Sequence, residues 1–237
     1  MGFSFLSPIF CINLLHTLAM KDFLKNNGLS LTFLFLFIAT LAAQVHFGLQ
    51  EYNKELVEDG GTVVSLSQYF TSGHFVESTF ENWESEFLQM ALFVVLTIFL
   101  KQKGSSESKK FDGTDEVDNQ PDPTKDNAPG PVKKGGLLLL LYKHSLSIAL
   151  LLLFLISFIL HFYGSLADEN TQNQLKGEAI TTAGEYITNS RFWFESFQNW
   201  QSEFLSVFAI VALSIYLRQQ GSPQSKPVDA PHDETGE

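Results

Sequence analysis

The sequence predicts an all-α membrane protein, with four transmembrane helices arranged as two tandem-repeated helical hairpins and a parallel pseudo-two-fold axis along the membrane normal. Three observations carry this. Long apolar runs alternate with strongly polar segments, although the mean hydropathy is only +0.06. The segment FENWESEFLQMALFVVLTIFLKQKGSSESK, around Asn82, returns without a gap as FQNWQSEFLSVFAIVALSIYLRQQGSPQSK, around Asn199. Each half also opens on an apolar run with a His-Phe pair near its end, His46-Phe47 and His161-Phe162.

The first span covers 29–49 (LSLTFLFLFIATLAAQVHFGL), a nearly uncharged stretch long enough to cross about 30 Å of hydrocarbon. The third covers 145–165, preceded by the apolar patch Leu137 to Leu141 and an interfacial Tyr142-Lys143-His144. The second and fourth, about 82–101 and 199–218, are odder. Their purely apolar parts run only from Phe87 to Leu100 and from Phe204 to Leu217, which is about 21 Å of helix. They must recruit upstream residues, thin the bilayer or stay partly buried in protein.

Basic residues set the orientation. Of the 15 Lys and Arg, only Lys54, Lys176 and Arg191 lie in the connecting loops 50–86 and 163–203. The positive-inside rule therefore puts both termini and the central linker in the cytoplasm and the acidic loops outside. The domain plan is then 20–101 as the first hairpin repeat, 102–136 as a flexible cytoplasmic linker, 137–219 as the second repeat, and 220–237 as a disordered tail. Residues 1–19 are apolar but have no preceding basic residue, so they make a poor signal peptide. They are expected to be an upstream extension, with translation beginning at Met20, or a short interfacial segment.

Composition excludes several classes. The formal charge of −11 argues against a nucleic-acid partner. The single Cys11 allows no intrachain disulfide. The sequence has no P-loop, dinucleotide fingerprint, Gly-x-Ser-x-Gly or HExxH. No catalytic residue, metal or cofactor is expected, and the chain is not expected to be an enzyme.

Before each short span lies an amphipathic approach, with Ser72 and Asn189 as candidate N-caps. Phe80, Trp83 and Phe87 share one helical face, as do Phe197, Trp200 and Phe204. Phe80, Trp83, Phe197 and Trp200 suit an aromatic belt at the membrane interface. On the other side, Asn82, Ser85 and Glu86 form a polar stripe, repeated by Asn199, Ser202 and Glu203. An ionisable group at that depth costs on the order of 2–3 kcal/mol if it faces lipid, so the glutamates should face the bundle interior or water. Rise per residue places Glu86 and Glu203 about 22 Å from the cytoplasmic ends of their helices. That matches the depth of His46 and His161. Such a layer suits proton relay, divalent-metal binding or a polar gate. The ordinary alternatives are helix N-terminal acids and interfacial histidines.

The blocks NWESEFLQM and NWQSEFLS, followed by LKQKGSSESK and LRQQGSPQSKPVDAPHDETG, resemble bacterial four-helix inner-membrane proteins known only as a domain of unknown function. The likeness covers most of 20–237, including MKDFLKNNGLS and the outer TSGHF; residues 1–19 fall outside it. It implies a multi-pass protein of the bacterial inner membrane and no particular activity. Two functions stay open. One is a non-enzymatic assembly or scaffold built from the hairpins. The other is a small oligomeric channel or transporter with the Asn/Ser/Glu stripe at its outer mouth. Either one has the lipid bilayer as partner, and four helices alone favour a homo-oligomer.

Overall fold

The computed structural model describes residues 8–236, of which 8–19 as backbone. Among the described residues the chain is helical and has no strand. The helices are α1 (Pro8–Glu58), α2 (Leu66–Tyr69), α3 (Gly73–Phe99), α4 (Gly130–Lys134), α5 (Gly136–Lys143), α6 (Ser145–Lys176), α7 (Ala183–Tyr186) and α8 (Ser190–Tyr216). Two of them are long and apolar enough to cross a membrane, the stretch Met20–Glu58 of α1 and all of α6. The chain divides into two compact units, Met1–Leu66 and Ser67–Glu237.

In the first unit, α1 runs well past the apolar stretch that ends near Leu49. Beyond its end, the Asn53 side chain clamps the returning chain: Oδ1 accepts from the Val64 amide at 2.6 Å and Nδ2 donates to the Val64 carbonyl at 3.1 Å. The paired donor and acceptor of an amide side chain replace the partners that a strand would supply. The same clamp recurs in the second unit, where Asn170 holds the backbone of Thr181 at 2.7 and 3.0 Å.

The second unit is built on α3, α6 and α8. α3 starts where Ser72 accepts from the Phe75 amide, and α8 where Asn189 accepts from the Arg191 amide. Each cap satisfies an amide that the first helical turn leaves without a partner. Both helices have 27 residues. α6 ends on Gly177, whose φ of +71° gives the left-handed turn that closes many helices. α3 and α6 are antiparallel: Gly73 lies against Gly164 and Asp168, while Glu84, further along α3, meets His161, earlier in α6. α8 runs parallel to α3, since Arg191 reaches Glu77 and Trp200 reaches Glu84.

The α3–α6 approach depends on glycine. A Cβ on Gly164 would lie 2.5 Å from the Glu77 amide nitrogen, and one on Gly73 would lie 2.2 Å from that of Asp168. Small residues let two backbones approach this closely. Away from the contact, Leu151, Leu152, Leu155, Ile156 and Ile159 of α6 and Leu205, Phe208 and Leu213 of α8 are exposed.

The start of the segment after α3 is hydrogen-bonded. The Gln102 amide donates to Ser108 Oγ at 2.9 Å, and the Gln219 amide to Ser225 Oγ at 2.8 Å. The two Gly-Ser-x-x-Ser-Lys motifs thus fold into similar turns. Ser105 is buried, its Oγ 3.0 Å from Ser214 Oγ of α8. Lys226 is buried too, donating to the carbonyls of Pro231, His232 and Glu234. Serine and glycine count towards disorder in composition, but they also make these local turns.

Candidate functional site

The site lies where the first turns of α3 and the later part of α6 meet the start of α8. Its centre is His161 on α6, fully buried, with Nδ1 2.7 Å from Glu84 Oε2. Glu84 on α3 is fully buried as well, and its other oxygen accepts from the Trp200 indole at 2.7 Å. Both oxygens are therefore used, one on each neighbouring helix. His161 Nε2 has no hydrogen-bond partner. It points between two carboxylates, Glu195 Oε2 at 3.8 Å and Glu81 Oε2 at 4.0 Å. Phe192, itself fully buried, covers the imidazole with ring centroids 5.0 Å apart. Phe158 and Phe162 pack on Phe192 in turn.

Arg191 makes the second centre. Its guanidinium donates to Glu195 and Glu77 at 2.8 Å, Glu169 at 3.0 Å and Asp168 at 3.4 Å. Ser165 Oγ joins the centres by donating to Glu195 Oε2 at 3.2 Å, and it also contacts the Tyr186 hydroxyl. Six carboxyl groups (Glu77, Glu81, Glu84, Asp168, Glu169 and Glu195) thus gather around one guanidinium and the His161 imidazole, with the His74 imidazole also acting on Asp168. Crowded acids in a poorly solvated place cannot all ionise.

The titration follows from this crowding. Burial pushes the Glu77 carboxyl up to about 8, against the pull of Arg191. Asp168 is raised too, again by burial and against Arg191. Burial also acts on Glu195, but hydrogen bonding and the charge of Arg191 hold it below its ordinary range. Glu77 and Asp168 accept from the same Arg191 nitrogen, so the extra proton belongs to the pair. A carboxyl whose pKa rises on folding, here from 4.5 to about 8, binds its proton more tightly in the native state. Its contribution is full below the unfolded value and is lost as pH rises through the folded one. The detergent-solubilised protein should therefore lose stability between about pH 5 and pH 9. Thermal melts should show this, and Glu77→Gln should flatten the profile.

The residues singled out in the sequence are placed as follows. His161 is at the centre. His46 is exposed on α1, where its ring bonds Gln50 at 3.0 Å and packs edge-on to Phe47. Asn82 donates to the Ser78 carbonyl, Ser85 to Asn82, Asn199 to Glu195 and Ser202 to Asn199. The stripe thus spends these hydrogen bonds within its own helices. Glu86 and Glu203 are brought close enough to interact. Phe80 packs on Trp83, and Phe197 packs on Trp193 and Trp200. Trp200 also serves the site through Glu84.

Glu77, Glu81, Glu84, Asp168, Arg191 and Glu195 were not among the sequence candidates. The available signal was disagreement between the two halves. Where the first has Glu81 and Glu84 the second has Gln198 and Gln201, and where the first has His74 and Ser78 the second has Arg191 and Glu195. The stripe lies where the halves agree, whereas the buried cluster, His161 apart, draws on positions where they differ.

Residues 20–237 match the family described as Domain of unknown function (DUF6766), and the chain belongs to it. No curated protein and no solved structure matches the chain.

Proposed function

We propose that this member of the DUF6766 family is an integral membrane protein that moves protons or small cations through its buried acid–base cluster. The observation that carries the reading is the His161–Glu84 pair, wholly buried among more carboxyl groups than the local cations balance. Unbalanced buried charge costs stability, and a scaffold has no use for it. A conducting site needs groups that gain and lose a proton or a cation without a large change in structure. Asp168, Glu77 and Glu195 around Arg191, followed by His161 and Glu84, form such a series from the helix ends inward.

The membrane reading has its own support. Two helices have the length and apolarity to cross, and their leucines and isoleucines are exposed on a scale that water-soluble surfaces rarely show. We take the stretches of α3 and α8 from about residue 82 and residue 199 onward as the other two spans, with the cluster at and just before their start. This gives two hairpins with the lysine-containing linker and both termini in the cytoplasm. A sealed path through so few helices calls for a homo-oligomer. The reading is non-enzymatic.

The experiment is flux into proteoliposomes carrying a pH-sensitive dye, driven by a potassium diffusion potential. Wild-type protein should acidify the lumen. Glu84→Gln should slow this at least about tenfold, because it removes the acceptor that fixes His161. Wild-type flux no greater than that of empty liposomes, with protons and with sodium alike, would refute the reading.

A further inference from the structure

We infer that Glu81, His161 and Glu195 form a binding site for a divalent first-row transition cation such as Zn²⁺, Mn²⁺ or Co²⁺. Three ligand atoms, His161 Nε2 and one carboxylate oxygen from each glutamate, lie within 4.8 Å of one another. They come from three helices, α6, α3 and α8. Ligands at about 2.0–2.2 Å from a metal stand about 3.3–3.6 Å apart in a tetrahedral site. The His161 separations of 3.8 and 4.0 Å exceed that spacing by a few tenths of an ångström, and small turns of the two glutamates would close the gap.

Acidic residues close together are common, but two features set this group apart. First, His161 Nε2 is fully buried, has no hydrogen-bond partner and points at the centre of the group. A buried ring nitrogen without a partner is costly, and a metal bond relieves it. Second, the supporting residues are those of a metal centre. A ligating histidine almost always gives its other ring nitrogen to a carboxylate or carbonyl, which fixes the tautomer and the ring plane. Here Glu84 takes Nδ1 at 2.7 Å and is itself held by the Trp200 indole. Glu195 is held in the same way, through Arg191 on Oε1 and Ser165 on Oε2. One nitrogen and two carboxylate oxygens suit zinc, manganese, cobalt or ferrous iron and not a soft cuprous ion. The cation would also offset the excess of carboxylates.

This site uses the cluster of the transport reading but does not depend on flux. The purified full-length protein in detergent should take up a single Co²⁺ with an absorption change characteristic of bound cobalt, and Zn²⁺ should displace it. Glu81→Gln should weaken binding at least about tenfold, and Glu84→Gln about 10–100-fold through the orientation of His161. Circular dichroism should stay helical in both. Glu81 is the more accessible ligand, with a side chain 23% exposed, so its variant decides the matter if changes at His161 or Glu195 prevent folding. Failure of the wild-type protein to bind Co²⁺, or equal binding by Glu81→Gln and wild type, would overturn the site. Metal binding without flux would refute transport alone, and flux without metal binding would refute this site alone.

Discussion

An Arg191→Met variant should melt far below the wild-type chain, losing about 3 kcal/mol or more in detergent near neutral pH. The size comes from what the substitution strands. Glu77, Asp168, Glu169 and Glu195 all accept from this one guanidinium, and both Glu77 and Asp168 are buried. Methionine keeps most of the stem's packing, so the loss reports the charge and not a cavity. Arg191→Lys should recover only part of it, because an ammonium cannot present the guanidinium's planar fork to four acids. Adding Glu77→Gln and Asp168→Asn to Arg191→Met should restore much of the stability, since the uncompensated acids are then gone. Equal melting temperatures for Arg191→Met and the triple variant would show that the four contacts do not act as a charge cluster.

Gly164→Val should have the second large effect, through packing. The first added carbon meets backbone, with the Glu77 nitrogen at 2.5 Å and Val76 close behind. Nothing flexible stands there to yield, so α3 must move off α6. Overpacking of this kind costs about 1–3 kcal/mol. The displacement also pulls Glu84 from His161, so flux and metal uptake should fall together with the melting temperature. Gly164→Ala should show the same loss in smaller measure. A Gly164→Val protein with wild-type stability would mean that the close approach of α3 and α6 does not hold the unit together.

Much of the frame could be read from residues alone. The 3.6-residue spacing of Phe80, Trp83 and Phe87 belongs to a helix, and Ser72 and Asn189 cap the helices that carry the two aromatic series. The apolar run through 145–165 lies in α6, but the helix continues to Lys176. Its polar final turns carry Asp168 and Glu169, which reach Arg191. Hydropathy marks where a helix stops being greasy, not where it stops. The site was harder to read. Asn82, Ser85 and Glu86 drew attention because they recur, yet repetition marks what both halves need for their own helices. Glu84 gains its role from Trp200, more than a hundred residues away, and from an imidazole on a third helix. That contact depends on the rotation of α3 about its axis, which Gly73 and Gly164 set and periodicity cannot supply.

In the transport reading, water reaches the acid–base cluster from the side of the membrane opposite the linker and termini. Thiol labelling tests it most directly. In a Cys11→Ser background, Glu81→Cys is compared with two exposed controls, Glu178→Cys in the loop after α6 and Lys103→Cys in the linker. Each is treated with a membrane-impermeant reagent in sealed right-side-out and inverted vesicles. Position 81 should be modified from the side that modifies 178 and protected from the side that modifies 103. Modification of 81 from the linker side, or no modification where 178 reacts fully, would contradict that reading.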